Sequence, residues 1–125
     1  MSARTVLLVE DDADIRDLIE QTLRRSSVEL HTVANGEDAL SHLRSGPVDL
    51  LILDIGLPGI DGWEVLQIVR DTPALAELPT LVVSVLDPDD RRPQTNVTYL
   101  AKPFRPAELA RVVGELLPRE PEGSP

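Results

Sequence analysis

The chain has 125 residues and a formal charge of −10, a length that suits one domain able to bury roughly two-thirds of its unfolded surface. Its 22 acidic residues outnumber 12 basic ones, so no basic excess is available to neutralise nucleic-acid phosphates or an anionic membrane surface. The absence of cysteine removes disulfide scaffolds, thiolate nucleophiles and cysteine-ligated metal centres.

At 42% hydrophobic residues the chain is globular, and with Trp63, Tyr99 and Phe104 as its only aromatics the core is aliphatic. No apolar run approaches the ~20 residues of a membrane span. Met1-Ser-Ala-Arg-Thr leads directly into a strand-like run without a signal-peptide pattern, so a cytoplasmic location is expected.

The first apolar run is Val6–Val9. Ile15, Leu18, Ile19, Thr22 and Leu23 follow it at the spacing of one helix face. A second run, Val28–Val33, precedes a helical segment over 36–44 carrying Ala39, Leu40 and Leu43. A third, Leu50–Leu53, precedes a segment over 62–71 carrying Val65, Leu66 and Val69. The fourth and fifth runs are Leu81–Val85 and Val97–Ala101. The last helix carries the stripe Leu109, Val112, Val113, Leu116 and Leu117, with Glu108, Arg111 and Glu115 facing water.

Strands alternating with such helices predict βαβ units and a parallel sheet. The first, third and fourth runs are apolar on both faces, as central parallel strands are, while the second and fifth alternate as edge strands do. The order 2-1-3-4-5 follows, a flavodoxin-like doubly wound five-stranded α/β sheet. Residues 1–118 are expected to form the domain, and 119–125 a disordered tail or the start of a linker.

In an open sheet of this kind, ligands bind beyond the carboxyl ends of the strands where the strand order reverses. The first strand ends in Glu10-Asp11-Asp12, the third in Asp54, the fourth near Ser84 and the fifth at Lys102-Pro103. Carboxylates gathered there repel one another unless one protonates or a cation sits between them. Hard oxygen donors without His or Cys nearby select Mg²⁺ or a similar ion. Lys102 offers a point charge for a phosphoryl oxygen and Ser84 a hydrogen-bond donor. Asp54, alone at the tip of the most hydrophobic strand, is the natural carboxylate nucleophile for an aspartyl phosphate.

Four pieces in this order, Leu8-Val-Glu-Asp-Asp, Leu53-Asp-Ile-Gly-Leu-Pro-Gly-Ile-Asp-Gly-Trp-Glu, Val83-Ser-Val and Tyr99-Leu-Ala-Lys-Pro-Phe, resemble the receiver domain of two-component response regulators. The resemblance covers roughly residues 4–117. It implies that Asp54 accepts a phosphoryl group from a histidine kinase or histidine phosphotransfer protein and then passes a signal to an effector protein. It also implies that Glu10, Asp11, Asp54 and the backbone carbonyl of Gly56 hold Mg²⁺. Ser84 and Lys102 would contact the phosphoryl group, Tyr99 would be the aromatic switch, and the Lys102-Pro103 bond would be cis.

Plainer readings stand beside these. Asp11 or Asp12 is able simply to cap the helix beginning near Ala13. The stretch from Pro58 to Gly62 reads as a turn and helix start, Tyr99 as a half-buried edge aromatic, and Trp63 as a partly exposed helix-start residue. His31 and His42 lack a ligand partner at metal spacing and read as ordinary surface or partly buried histidines.

The chain departs from the family between Ser84 and Tyr99, where the family's fourth helix belongs. This stretch has no apolar stripe and carries Pro88 and Pro93, the latter costing about 3 kcal/mol inside a helix. A fourth helix shortened to a turn or missing is therefore expected. Output would then use another face, as would any homodimer. The eroded segment also favours an alternative, a receiver-like interaction module that works independently of phosphorylation. A phosphatase would want a second Asp where Gly56 stands, and a flavin site a phosphate-cradling loop after the first strand.

Overall fold

A computed structural model describes residues 4–57, 59–85 and 96–117. Strands β1 (Arg4–Val9), β2 (Val28–Val33), β3 (Leu50–Asp54), β4 (Thr80–Ser84) and β5 (Val97–Ala101) form one sheet. All pairs are parallel and the order is 2-1-3-4-5, as expected. The described residues include helices α1 (Ala13–Leu23), α2 (Gly36–Ser45), α3 (Gly62–Asp71) and α4 (Pro106–Leu116), and a 3-10 turn at Pro73–Leu75.

Side chains alternate across each strand and so build two cores. Leu7, Val9, Leu51, Leu53 and Val82 face α2 and α3, where Ala39, Leu43, Val65, Leu66 and Val69 meet them. Val6, Leu8, Leu50, Ile52, Leu81 and Val83 face α1 and α4, packing on Ile19, Leu23, Leu109, Val112 and Val113. β3 is buried along its whole length, whereas β2 is only partly covered, the pattern of a central and an edge strand.

β4 ends one residue before its apolar run does. Asp54 pairs with Val83 and Ser84 with Ala101, so no further strand pairing covers Val85, which is 78% exposed. The expected loss of the fourth helix falls almost wholly within 86–95, outside the described residues, as does the tail over 119–125. No helix among the described residues is long and apolar enough to cross a membrane.

Candidate functional site

Glu10 follows β1 directly and still donates its backbone N–H to the Val33 carbonyl at 3.1 Å. This bond carries the strand direction one residue further and leaves Glu10 only 1% exposed. Asp12 then turns the chain into α1: its Oδ1 accepts from the N–H groups of Asp14 at 2.9 Å and Ile15 at 3.2 Å. Capping thus falls to Asp12, while Asp11 stays exposed beside the pocket. Arg16, one turn into α1, donates from Nη1 to the Glu10 carbonyl at 2.9 Å and ties the helix to the strand end.

Asp54, at the tip of β3, is 7% exposed. Its Oδ1 accepts from the Gly56 N–H at 2.9 Å, and its Oδ2 lies 3.2 Å from Lys102 Nζ. The same Nζ is 2.9 Å from Glu10 Oε1, so one ammonium bridges two buried carboxylates. Lys102 is held there by its backbone, whose N–H donates to the Ser84 carbonyl at 2.9 Å, and its bond to Pro103 is cis.

The electrostatics follow from burial. Loss of hydration, reinforced by the hydrogen bond and charge of Asp54 and opposed by Lys102, pushes the Glu10 carboxyl up to about 7. Burial works against the charge on Lys102, but the hydrogen bond it donates to Glu10 and the negative charge of Asp54 outweigh that cost and hold the ammonium above its ordinary range.

One carboxylate oxygen from each of Glu10, Asp11 and Asp54 lies within 4.8 Å of the others. Two of these groups are buried and one is exposed, and all donors are hard oxygens. Such a set fits a small hard divalent cation that keeps water on its open side.

Ser84 is buried at the end of β4, and by strand alternation it shares the α2/α3 side of the sheet with Tyr99. The Tyr99 ring centroid is 6.4 Å from that of Trp63, with the planes at 52°. Trp63 is half-buried in the first turn of α3. Gly62 allows that helix to begin flush against β3: a Cβ there would lie 2.5 Å from Ile55 Cα and 2.6 Å from the Asp54 carbonyl oxygen. Neither the Arg16 bond nor the Trp63–Tyr99 contact is signalled by local spacing. The Gly62 contact has a faint signal, a glycine directly after the capping Asp61.

Comparison with known proteins gives the family. The family described as response regulator receiver domain matches residues 6–114. An uncharacterized transcriptional regulatory protein of Bacillus subtilis, YrkP, is 39% identical over 119 residues, covering 91% of this chain and 50% of the relative. The chain therefore spans about half the length of the curated relatives it matches first. Among solved structures, the chemotaxis response regulator CheY4 of Vibrio cholerae superposes with a TM-score of 0.85 at 26% identity, covering 93% of this chain and 100% of that one. The receiver domain of the sensor histidine kinase PA1611 of Pseudomonas aeruginosa has a TM-score of 0.81 at 28% identity, over 92% of this chain and 98% of that one. That protein carries a magnesium ion coordinated in its active-site cleft.

Proposed function

The chain belongs to the response regulator receiver domain family, and on that premise we propose that it is a phosphorylation switch whose acceptor is Asp54. The observation that carries the assignment is the bridge of Lys102 between Asp54 and Glu10, with Asp11 beside them at the carboxyl edge of the sheet. Three carboxylates and one amine on the rim of a rigid sheet are suited to receiving a phosphoryl group.

In this reading an Asp54 carboxylate oxygen bonds to the phosphorus of a phosphohistidine on a histidine kinase or phosphotransfer protein. The P–N bond breaks, and the leaving imidazole takes up a proton. Glu10, Asp11, Asp54 and the Gly56 carbonyl would hold Mg²⁺. When bound, that ion supplies positive charge to the transferring phosphoryl oxygens. Lys102 pairs with another of those oxygens, for which its Nζ is already in place beside Asp54. Ser84 donates its hydroxyl to a third oxygen, and Tyr99, on the same side of the sheet, responds as the switch to an effector. The domain is then a cytoplasmic signalling switch that catalyses only its own phosphorylation and dephosphorylation.

The test is incubation with acetyl phosphate and Mg²⁺ followed by intact mass measurement. One phosphoryl group should be gained by the chain and none by Asp54→Asn. No gain under any Mg²⁺ concentration, with Trp63 fluorescence unmoved by the ion, would turn the assignment to the phosphorylation-independent interaction module. The proline-bearing segment between Ser84 and Tyr99 favours that second reading.

A further inference from the structure

Glu10 is fixed at each of its polar atoms. Its N–H donates to the Val33 carbonyl, and its Oε1 meets Lys102 Nζ. Its Oε2 accepts from the Asp12 N–H at 3.3 Å, and its carbonyl accepts from Arg16 Nη1 at 2.9 Å. The last two bonds bear on Asp11. The Glu10 carbonyl and the Asp11 N–H belong to one planar peptide unit, and the Asp12 N–H belongs to the next. Both peptide units flanking Asp11 are therefore pinned, the first by Arg16 and the second by Glu10 Oε2. Arg16 reaches its acceptor because of where α1 begins. Asp12 caps the helix, the Arg16 N–H donates to the Asp12 carbonyl at 3.0 Å, and a helical side chain leans toward the helix N-terminus. The half-buried Arg16 side chain thus points back at the end of β1.

We propose that Arg16 is a positioning residue for the divalent-cation site: by holding the Glu10–Asp11 peptide it aims the Asp11 carboxylate at the oxygens of Glu10 and Asp54. The inference rests on the reading of Asp11 as a metal ligand and adds a residue that acts through the backbone. Asp11 is exposed, so its direction depends on the peptide units beside it more than on packing. The charge of Arg16 and its hydrogen bond have opposite effects on Mg²⁺. A guanidinium near three carboxylates weakens their pull on a cation, so loss of the charge alone would tighten binding. Loss of the bond frees the peptide and spreads the Asp11 carboxylate over orientations that miss the ion, which weakens binding. The sign of the change separates the two.

Two measurements on the whole chain test this, with Arg16→Met as the variant that keeps an apolar stem and removes donor and charge. In a chelator, backbone nitrogen relaxation at the Asp11 amide reads the pinned peptide directly. Its order parameter should be about 0.85 in the parent and fall toward about 0.6 in Arg16→Met. Calorimetric titration should show Mg²⁺ bound about tenfold more weakly by Arg16→Met, and Arg16→Lys, which keeps a donor, should recover much of the loss. Unchanged or tighter Mg²⁺ binding in Arg16→Met, or no recovery in Arg16→Lys, would overturn the proposal. So would a mobile Asp11 amide in the parent, a readout that needs no variant. A parent that binds no Mg²⁺ would instead overturn the proposed function, and this inference with it.

Discussion

Glu10 leaves β1 still bonded to Val33, and at 1% exposure its carboxylate has lost most of its hydration. Its carboxyl is raised from 4.5 to about 7, so between those values the folded chain binds a proton that the unfolded chain releases. Stability therefore falls as pH rises through that window. The penalty is absent below about 4.5 and complete above about 7. Lys102 keeps its charge across the window and does not reverse the sign. In a chelator, urea unfolding should show a loss on the order of 1–3 kcal/mol between pH 4.5 and 7.5. Glu10→Gln should flatten that slope, and an unchanged slope would show that burial of Glu10 is not its source. The presence of acids at this strand end is legible in the sequence. Which of Asp11 and Asp12 caps α1 is not, because both occupy plausible capping positions and backbone direction alone selects Asp12.

At the scale of elements, the start of α3 is what joins the Asp54 strand to the aromatic pair. Gly62 donates its N–H to the Ile55 carbonyl at 3.0 Å, and the missing side chain lets the helix meet the β3 backbone directly. Trp63 follows and packs near Tyr99 of β5. A methyl group at position 62 meets backbone rather than a flexible side chain, so relief requires the whole helix start to shift. Gly62→Ala should therefore cost about 1–3 kcal/mol in urea unfolding and alter the Trp63 emission of the folded chain. An emission spectrum identical to the parent would mean that the helix start does not control the aromatic contact. The early end of β4 belongs to the same scale. Apolar character carries the run to Val85, but pairing with the neighbouring strands stops at Ser84.

For the whole molecule, parallel order gathers onto one edge charges that lie far apart in the chain. The same arrangement concentrates part of a −10 net charge at one place, where the Lys102 ammonium bridges two of the carboxylates. A divalent cation held there by the folded chain alone stabilises it through linkage. At a Mg²⁺ concentration tenfold above the dissociation constant the gain should be about 1.4 kcal/mol. Asp11→Ala should remove most of this gain while leaving the metal-free stability nearly unchanged, since Asp11 is exposed. Equal Mg²⁺ gains in the parent and in Asp11→Ala, measured by thermal unfolding, would place the ion elsewhere.

The sequence by itself determined the sheet, its order and the gathering of strand-end residues at its rim. Periodicity of 2 and 3.6 separates strand from helix, and burial on one or both faces separates edge from centre. Parallel connections then bring every strand's carboxyl end to the same side. Glu10, Asp11, Asp54, Ser84 and Lys102 are legible for that reason, since each lies at a strand end. Only the tertiary structure decided which groups touch within that edge and beyond it. The two bonds of Lys102, the Arg16 tie to Glu10, the Trp63–Tyr99 contact and the meeting of His31 with His42 all join different elements. Such distances depend on how helices seat on the sheet. Seating is set by packing among side chains remote in sequence, which no local pattern records.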